Sequence, residues 1–336
     1  MNRLSDATSF RRSLISWYRE AGRDLPWRRT TDAYPILVSE FMLQQTQVTA
    51  VIPHFERWME RFPDFASVAA APEDEVLHAW QGLGYYRRAL NLRRSAQIIG
   101  EMHQGCFPRS VAAMGKLPGI GRYTAAAIAT FAFNQSVPVV EANITRVLAR
   151  LFNLKIAVDT NSGRKALWHH ATELLPKRDA RTHNSALMDL GALICKARPN
   201  CPACPVRSLC RAHQPLTLPI RKARPLIKHR TENHGLIIDH GRVLLEQSKD
   251  RWRGMWILPP LTRVTRKHRP LHICQFPFTN HQITLTVFPR SAAQPSIKSR
   301  RRWFSIAELD SIPLPSPHRR ALESLLSRSH KTIATP

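Results

Sequence analysis

The feature that most restricts how this chain can fold is a set of four cysteines, Cys195, Cys201, Cys204 and Cys210, with gaps of x5, x2 and x5. In a chain without a secretory signal, thiols clustered in this way indicate a metal site rather than disulfides. A zinc site with four thiolates usually has two C-x-x-C pairs, whereas this chain has one. The wider gaps favour a [4Fe–4S] cluster, with zinc and four free thiols as the alternatives.

The net charge restricts the partner. The 336 residues include 50 Lys and Arg against 24 Asp and Glu, which gives a formal charge of +26. There are 28 basic and 17 acidic residues before position 216, then 22 and 7, so both parts are positive. A small domain needs a net charge of magnitude only about 2–8 to stay soluble. We therefore expect a polyanion partner, most simply nucleic acid, with a solubilising surface as the alternative.

The sequence gives no sign of a membrane protein. It has no run of about 18 uncharged apolar residues, so we expect no membrane span. Residues 1–10 lack the apolar core of a secretory signal. We predict a cytoplasmic protein that is associated with the nucleoid.

The distribution of prolines and apolar residues along the chain predicts its domain organisation. Residues 1–212 have apolar positions at helical spacing, and we expect short helices that stop at prolines such as Pro53. Residues 213–230 are basic and rich in proline, which is typical of a linker. Residues 231–336 predict a small α+β domain, with a hairpin around His240-Gly241 and a strand over 283–288. The class is therefore mainly α with a small second domain.

The run from Lys116 to Arg122, KLPGIGR, precedes an alanine-rich helix. Gly119 and Gly121 permit a tight turn that exposes backbone N–H groups at a helix N-terminus, a geometry that suits a phosphate oxygen. An ordinary turn between two helices is the alternative for these residues taken alone.

Three further places carry candidate functional residues. Glu40 lies in an apolar stretch before Gln44-Gln45-Thr46-Gln47, whose amides can contact base edges. Tyr85 belongs to an aromatic pair beside arginines, which can stack on a base or fill a core. Glu141 precedes the apolar face of a helix. Taken singly, Glu40 is more simply explained as a surface residue beside the core, and Glu141 as a favourable charge near a helix N-terminus.

Together these motifs resemble the MutY-type adenine DNA glycosylases of the helix-hairpin-helix superfamily. The resemblance rests on LPWR (25–28), SEFMLQQTQV (39–48), GLGYYRRALNL (82–92), LPGIGRYTAAAI (117–128) and MDLGALIC (188–195). It implies the helix-hairpin-helix glycosylase fold with an iron–sulfur lobe and a Nudix-like C-terminal domain. It also implies a monomer that binds double-stranded DNA and hydrolytically removes adenine mispaired with 8-oxoguanine or guanine.

The resemblance implies a role for each site residue. Glu40 matches the general acid that protonates adenine N7. Glu141 occupies the place of an aspartate that stabilises the sugar cation, and Tyr123 and Asn143 match the positions that hold this second carboxylate. The residues that match the adenine pocket are Trp27, Arg28, Leu43, Val48, Ser185 and Met188. The residues that match the DNA wedge are Gln45 and Tyr85. The residues that match the DNA-backbone hairpin are Lys116, Gly119, Gly121 and Arg122.

Tyr123 bears on the reaction type. Related glycosylase-lyases of the endonuclease III type carry a lysine nucleophile there, which forms a Schiff base with the sugar. A phenol cannot form one, so the resemblance implies a monofunctional glycosylase.

Some positions depart from the family pattern. The extra methylene of Glu141 moves its carboxylate by about 1.5 Å, and glutamate is not a favoured helix cap. The first cysteine gap is x5 instead of x6, and Ser185 replaces a longer polar residue. The lesion-sensing loop matches Phe278-Thr279-Asn280 only loosely. These departures keep two alternatives open, a glycosylase for another mismatched base such as thymine and a weakly catalytic lesion-binding protein.

The C-terminal domain has a W-G-x-W-x-x-P-like region at residues 252–260 but no Glu-rich Nudix box. Without carboxylates to hold Mg²⁺, we expect no pyrophosphate hydrolysis. Arg300-Arg301-Arg302 beside Trp303-Phe304 favours DNA contact, with a solvated basic face as the alternative.

Overall fold

The computed structural model describes residues 3–223, 225–263, 269–291 and 300–332. The chain divides into two compact units. The helical unit comprises residues 1–66 and 95–223, and the sheet unit comprises residues 67–94 and 224–336. The predicted first domain, 1–212, therefore includes a segment, 67–94, that groups with the sheet unit in the structure.

The first two thirds of the chain are helical, as predicted. The helices are α1 (Arg3–Ala21), α2 (Ala33–Leu43), α3 (Val48–Arg61), α4 (Phe65–Ala70), α5 (Glu73–Ala79), α6 (Arg87–His103), α7 (Val111–Met114), α8 (Arg122–Phe131), α9 (Ala142–Leu151), α10 (Asn161–Leu174) and α11 (Ala180–Asp189). A π-helical turn, Leu190–Ile194, leads from α11 to the cysteines. Several helices begin at a side chain that accepts a backbone N–H: Asp32 caps α2, Ser110 caps α7 and Thr160 caps α10.

The expectation that Pro53 ends a helix is wrong. Pro53 lies inside α3, which continues to Arg61. A proline inside a helix costs about 3 kcal/mol. The cost is offset here because Val51, Phe55 and Trp58 are buried along one face of α3.

Helix α2 runs through the interior of the helical unit. Nine of its eleven residues are buried, and it packs against α3 and α8. A second group of core side chains, including Phe10, Leu148 and Leu187, joins α1, α9, α10 and α11. A polar side chain on α2 therefore has an apolar surrounding on nearly every side.

The sheet unit is a small α+β structure with two sheets. In one sheet β1 (Lys228–Leu236) pairs in parallel with β6 (His281–Pro289), which pairs antiparallel with β5 (His272–Phe278). In the other, β3 (Arg242–Gln247) pairs antiparallel with β2 (Ile238–Asp239), β4 (Trp256–Ile257) and β7 (Arg301–Ser305). Helix α12 (Ser316–Thr332) packs against β5. The predicted strand over 283–288 is confirmed within β6.

The predicted hairpin at His240-Gly241 is confirmed, since both residues have positive φ and Asp239 faces Arg242. Its first strand is shorter than predicted, because residues 235 and 236 belong to β1. The predicted linker, residues 213–230, is partly structured. Val158 N–H donates to Ile220 O at 2.9 Å, and β1 begins within the linker at Lys228. Among the described helices, none combines the length and apolar character needed to cross a lipid bilayer.

A buried hydrogen-bond chain joins α2 to the end of α3 and gives the first prediction. The Tyr34 hydroxyl donates to Phe62 O at 2.5 Å and accepts from Trp58 Nε1 at 3.0 Å. Tyr34→Phe removes both of these buried hydrogen bonds, so we expect it to lower the free energy of unfolding by about 1–3 kcal/mol. Urea unfolding measures the loss. Tyr85→Phe, which removes a hydroxyl from an exposed ring, serves as the control and should change stability by less than about 0.5 kcal/mol. Equal losses would contradict the role of the buried chain.

Candidate active site

A cavity of about 600 Å³ opens in the helical unit. It collects all four predicted catalytic residues, all six predicted pocket residues and Gln45. Its lining includes Trp27, Arg28, Glu40, Leu43, Gln45, Val48, Tyr123, Glu141, Asn143, Ser185 and Met188. Residues that are distant in sequence, on α2, α8, α9 and α11, therefore meet at one concave surface.

Glu40 is the most perturbed acid of this cavity. It lies on α2, and its side chain is 5% exposed. Burial raises the pKa of Glu40 to about 7, while a hydrogen bond from Tyr123 and the charge of Arg28 oppose the rise. Its Oε2 atom has no hydrogen-bond partner. Because Glu40 lines the cavity, a group that enters the cavity can supply the hydrogen-bond partner that Glu40 lacks within the protein.

Glu141 is the N-cap of α9. Its Oε2 accepts the N–H of Asn143 and its Oε1 accepts the N–H of Ile144, both at 2.7 Å. The expectation that glutamate is a poor cap does not hold here, because the longer side chain folds back and uses both oxygens. Burial raises the pKa of Glu141, and these two N–H groups, Arg146 and Arg23 oppose the rise.

Tyr123 connects the two carboxylates. Its side chain lies near both acids, and the charges of Glu40 and Glu141 both raise the pKa of the Tyr123 phenol. Burial and these two acids hold the pKa of the Tyr123 phenol well above its usual range, so the phenol stays protonated. It can therefore donate a hydrogen bond to an acid of the cavity.

Asn143 contacts Glu141 through its backbone only. Its side-chain Oδ1 accepts from Arg146 Nη2 at 2.7 Å, and Arg146 also donates to the carbonyl oxygens of Cys195 and Gly191. A Cβ on Gly191 would come within 2.6 Å of Asn143 Cβ, so only glycine fits. This packing fixes the start of α9 against the π-helical turn.

Sequence reasoning missed Asp189. This carboxylate at the end of α11 is fully buried, and its oxygens accept from Arg28 Nη1 and Nη2 at 2.8 and 2.9 Å. They also accept from the Arg23 backbone N–H and Nε, each at 2.8 Å. Because Arg23 and Arg28 both line the cavity, Asp189 fixes its wall from behind. The available signal was a lone acid inside the apolar run MDLGALIC.

Both predicted wedge residues have a left-handed backbone. Gln45 has a φ of 59° in the loop between α2 and α3, beside the cavity. Tyr85 has a φ of 47°, and its ring, 46% exposed, belongs to the sheet unit. Such conformations are uncommon for residues other than glycine and cluster at functional positions.

The motif KLPGIGR forms a hairpin between α7 and α8. Leu117 and Ile120 are buried, whereas Lys116 and Arg122 are exposed, and Gly119 has a φ of 79°. The exposed Gly119 and Gly121 leave backbone groups accessible on the outer side. The hairpin residues do not line the cavity.

The four cysteines come together at one edge of the core, where Cys195 and Cys204 pack against buried side chains. Arg150 Nη1 donates to Cys195 Sγ at 3.3 Å, and Cys204 N–H donates to Cys201 O at 3.2 Å. Among the described residues, the group whose ligand atoms all lie within 4.8 Å is His169, His170 and Glu173, and not the cysteines. Around one zinc ion the sulfurs would lie about 3.8 Å apart, given Zn–S bonds near 2.3 Å.

The predicted lesion-sensing residues form the turn between β5 and β6 in the sheet unit. Phe278 pairs with His281, which leaves Thr279 and Asn280 as a two-residue turn with Thr279 at a φ of 52°. The Arg251 guanidinium lies 4.5 Å from the centre of the Phe278 ring, and Glu232 holds this arginine with two hydrogen bonds.

Residues 38–177 match the family model described as "HhH-GPD superfamily base excision DNA repair protein". Among solved structures, the chain is similar to a thermostable thymine-DNA glycosylase, with a TM-score of 0.58 and 32% identity. That match covers 62% of this chain and 96% of that one. The predicted helix-hairpin-helix glycosylase fold is thus confirmed.

Two curated relatives are both named adenine DNA glycosylase. The rat protein (Rattus norvegicus) is 43% identical over 221 residues, which is 63% of this chain and 43% of the relative. This chain therefore matches less than half the length of that relative. The protein of Buchnera aphidicola subsp. Baizongia pistaciae is 35% identical over 262 residues, 76% of this chain and 74% of the relative. At this identity and coverage, and with the motifs in agreement, the chain belongs to the adenine DNA glycosylase family.

Proposed function

We propose that this chain is a monofunctional DNA glycosylase that flips adenine out of a mispair with 8-oxoguanine or guanine and hydrolyses its N-glycosidic bond. One observation carries the proposal: Glu40, with a pKa of about 7 and an unpartnered Oε2, shares a cavity with Glu141. The names of the curated relatives support adenine as the base.

A paired base is out of reach of a buried acid, so the nucleotide must first leave the helix. Gln45 is placed at the rim to fill the gap that the nucleotide leaves. Its left-handed backbone costs on the order of 1–3 kcal/mol, a strain that persists where function requires the geometry. Trp27, Leu43 and Val48 supply apolar wall for the flipped base.

Glu40 acts as the general acid. In its neutral form it donates the proton on its carboxyl group to N7 of adenine, so that the base departs uncharged as the bond from N9 to the sugar C1′ breaks. The desolvated position of Glu40 keeps this neutral form populated near pH 7.

Glu141 faces the sugar that is left behind. Bond cleavage gives C1′ oxocarbenium character, and a carboxylate at this position stabilises it. Water then forms the new bond to C1′ and gives its proton to a carboxylate, which balances the reaction. The α9 N–H groups favour the ionised form of Glu141 that this role needs.

Two observations bear on the alternatives. Ser185 is buried at the cavity wall and is shorter than the usual family residue, and the solved thymine-DNA glycosylase is a structural relative, which keeps thymine as a second candidate base. The position of Glu141, which lines the same cavity as Glu40, argues against a lesion-binding protein without catalytic activity.

We propose that Cys195, Cys201, Cys204 and Cys210 hold one [4Fe–4S] cluster. The donor set consists of four thiols without a disulfide, and their sulfurs are not grouped as tightly as one zinc ion requires. In a cluster each thiolate binds a different iron, so wider separations suit it. The four thiolates would hold the cluster, and since Cys195 and Cys204 pack against buried side chains, a cluster there would tie residues 195–210 to the core.

The partner that we propose is duplex DNA containing an adenine mispair, bound by a monomer. The exposed hairpin residues Lys116 and Arg122 suit backbone phosphates, and the turn at Phe278-Thr279-Asn280 is the candidate contact for the opposite lesion. A nucleoid location in the cytoplasm follows from this partner.

The test is a duplex with A opposite 8-oxoguanine, compared with T opposite G, followed by hot alkali. We expect strand breaks only in the adenine strand. Cleavage of the thymine strand would show that thymine is a substrate base. Tight binding without strand breaks would overturn the catalytic proposal. Glu40→Gln should lower the single-turnover rate by about 10²–10⁴-fold while duplex affinity is kept. Glu60→Gln, an exposed acid on α3, is the matched control and should behave as wild type.

The pH dependence follows from the same acid. Above pH 7 the rate should fall about tenfold per pH unit, because the proton on Glu40 is lost. Tyr123→Phe removes a hydrogen bond that lowers the pKa of Glu40, so it should move this alkaline limb to higher pH. Single-turnover rates against pH measure the limb. If the alkaline limb does not move, Tyr123 does not influence the pKa of Glu40.

Metal analysis tests the cluster. Anaerobically purified protein should contain iron and acid-labile sulfide in equal amounts and no zinc. Cys204→Ser should lower the iron content, whereas Cys106→Ser, at an exposed cysteine outside the set, should not. Zinc without acid-labile sulfide would contradict the [4Fe–4S] proposal and support a zinc site instead.

A further inference from the structure

A second concave surface of the helical unit lies next to the active-site cavity. It has a volume of about 480 Å³, and of the residues that the structure describes, Tyr123 alone lines both this surface and the cavity. Its lining consists of Arg122, Tyr123, Val140, Asn161, Arg164, Lys165 and Trp168. We call it the α10 groove. Three of these side chains are cationic and none is acidic.

Arg122 is held in place by an aromatic ring. Its guanidinium lies 3.8 Å from the centre of the Trp168 ring, which is itself half-buried on α10. A stacked guanidinium keeps its edge N–H groups available to an anion and loses less conformational entropy when it binds one. Arg122 also directly follows the glycine hairpin, so the hairpin and the groove are continuous.

The charge of the groove is not neutralised from within. Arg164 donates to Asp159 O at 2.6 Å and to Asn161 Oδ1 at 2.5 Å, and both acceptors are uncharged. The Asp159 carboxylate instead accepts the N–H of Lys222 at 3.0 Å. In the described part of the chain, no ion pair is formed by Arg122, Arg164 or Lys165, all of which are exposed.

We infer that the α10 groove binds the sugar–phosphate backbone of the DNA strand that carries the flipped nucleotide, through Arg164 and Lys165 in addition to the hairpin. The inference rests on the proposed function, because a nucleotide in the cavity has its neighbouring phosphates just outside it. Tyr123 forms the wall between the base in the cavity and the backbone in the groove. Arginine binds a phosphate bidentately and lysine as a point charge, so the contact positions the strand without reading bases.

The first experiment removes two charges from the groove and two from elsewhere. Arg164→Ala with Lys165→Ala is compared with Arg12→Ala plus Arg19→Ala, an exposed pair on α1 in the same unit. The probe is a short undamaged duplex, and affinity is measured by fluorescence anisotropy between about 50 and 200 mM salt. We expect the groove variant to bind at least about tenfold more weakly, with a log–log salt slope smaller by about 1.8, or 0.9 for each phosphate lost. The α1 variant should keep the wild-type slope.

The second experiment tests the stacked pair by a double-mutant cycle on the same duplex. Arg122→Ala and Trp168→Leu should lose affinity separately, and the double variant should lose little more than Arg122→Ala alone. Additive losses would show that Trp168 does not position the guanidinium.

Adenine excision by the wild-type protein is measured on the same preparations. If excision occurs but the groove variant keeps the wild-type affinity and slope, or if the α1 variant loses as much, the groove inference is wrong and the proposed function stands. If the groove variant loses affinity but the wild-type protein releases no adenine, the groove is a DNA contact and the proposed function is wrong.

Discussion

Burial of Glu40 in the middle of α2 is the constraint on which the site depends. Eight other residues of its own helix are buried around Glu40, so its carboxyl is largely removed from bulk water. Its ionised form is therefore penalised, and its pKa rises from 4.5 to about 7. The same shift weakens the fold. As pH rises above 4.5, Glu40 ionises in the unfolded chain but stays protonated in the folded one, so stability falls until about pH 7 and then levels off. The apolar packing around α2 must offset this loss, which is why an acid for neutral pH needs a large core around it.

Glu141 has the same kind of side chain as Glu40, but its proposed role is that of an anion and not of an acid. Burial raises its pKa as well, yet it receives two backbone N–H groups and the influence of two arginines, Arg146 and Arg23. One acid is therefore surrounded by apolar groups and the other by donors, which separates an acid role from an anion role. The sequence comparison predicted a carboxylate displaced by one methylene. In the structure the added length folds back onto α9, so the side chain caps the helix and still lines the cavity.

Much of this could be predicted from the sequence, because the motifs are local and each carries its own geometry. KLPGIGR predicted a helical hairpin, and the predicted pocket residues, from Trp27 to Met188, meet at one cavity. Other features depend on tertiary partners that no local pattern reveals. Asp189 gains its role from Arg23 and Arg28, more than 160 residues earlier. Pro53 is tolerated because the buried face of α3 outweighs a local rule. Residues 67–94 group with a sheet that begins far later in the chain.

The shared position of Tyr123 links DNA binding to proton transfer. Tyr123 lines both the α10 groove, with its three cations, and the cavity that contains Glu40. The cation that acts on Glu40 is Arg28, which lines the cavity and opposes the rise of the Glu40 pKa. Burial is the main cause of that rise, so a base that fills the cavity would keep Glu40 protonated. A strand whose backbone lies in the groove would therefore place its flipped base where proton transfer occurs.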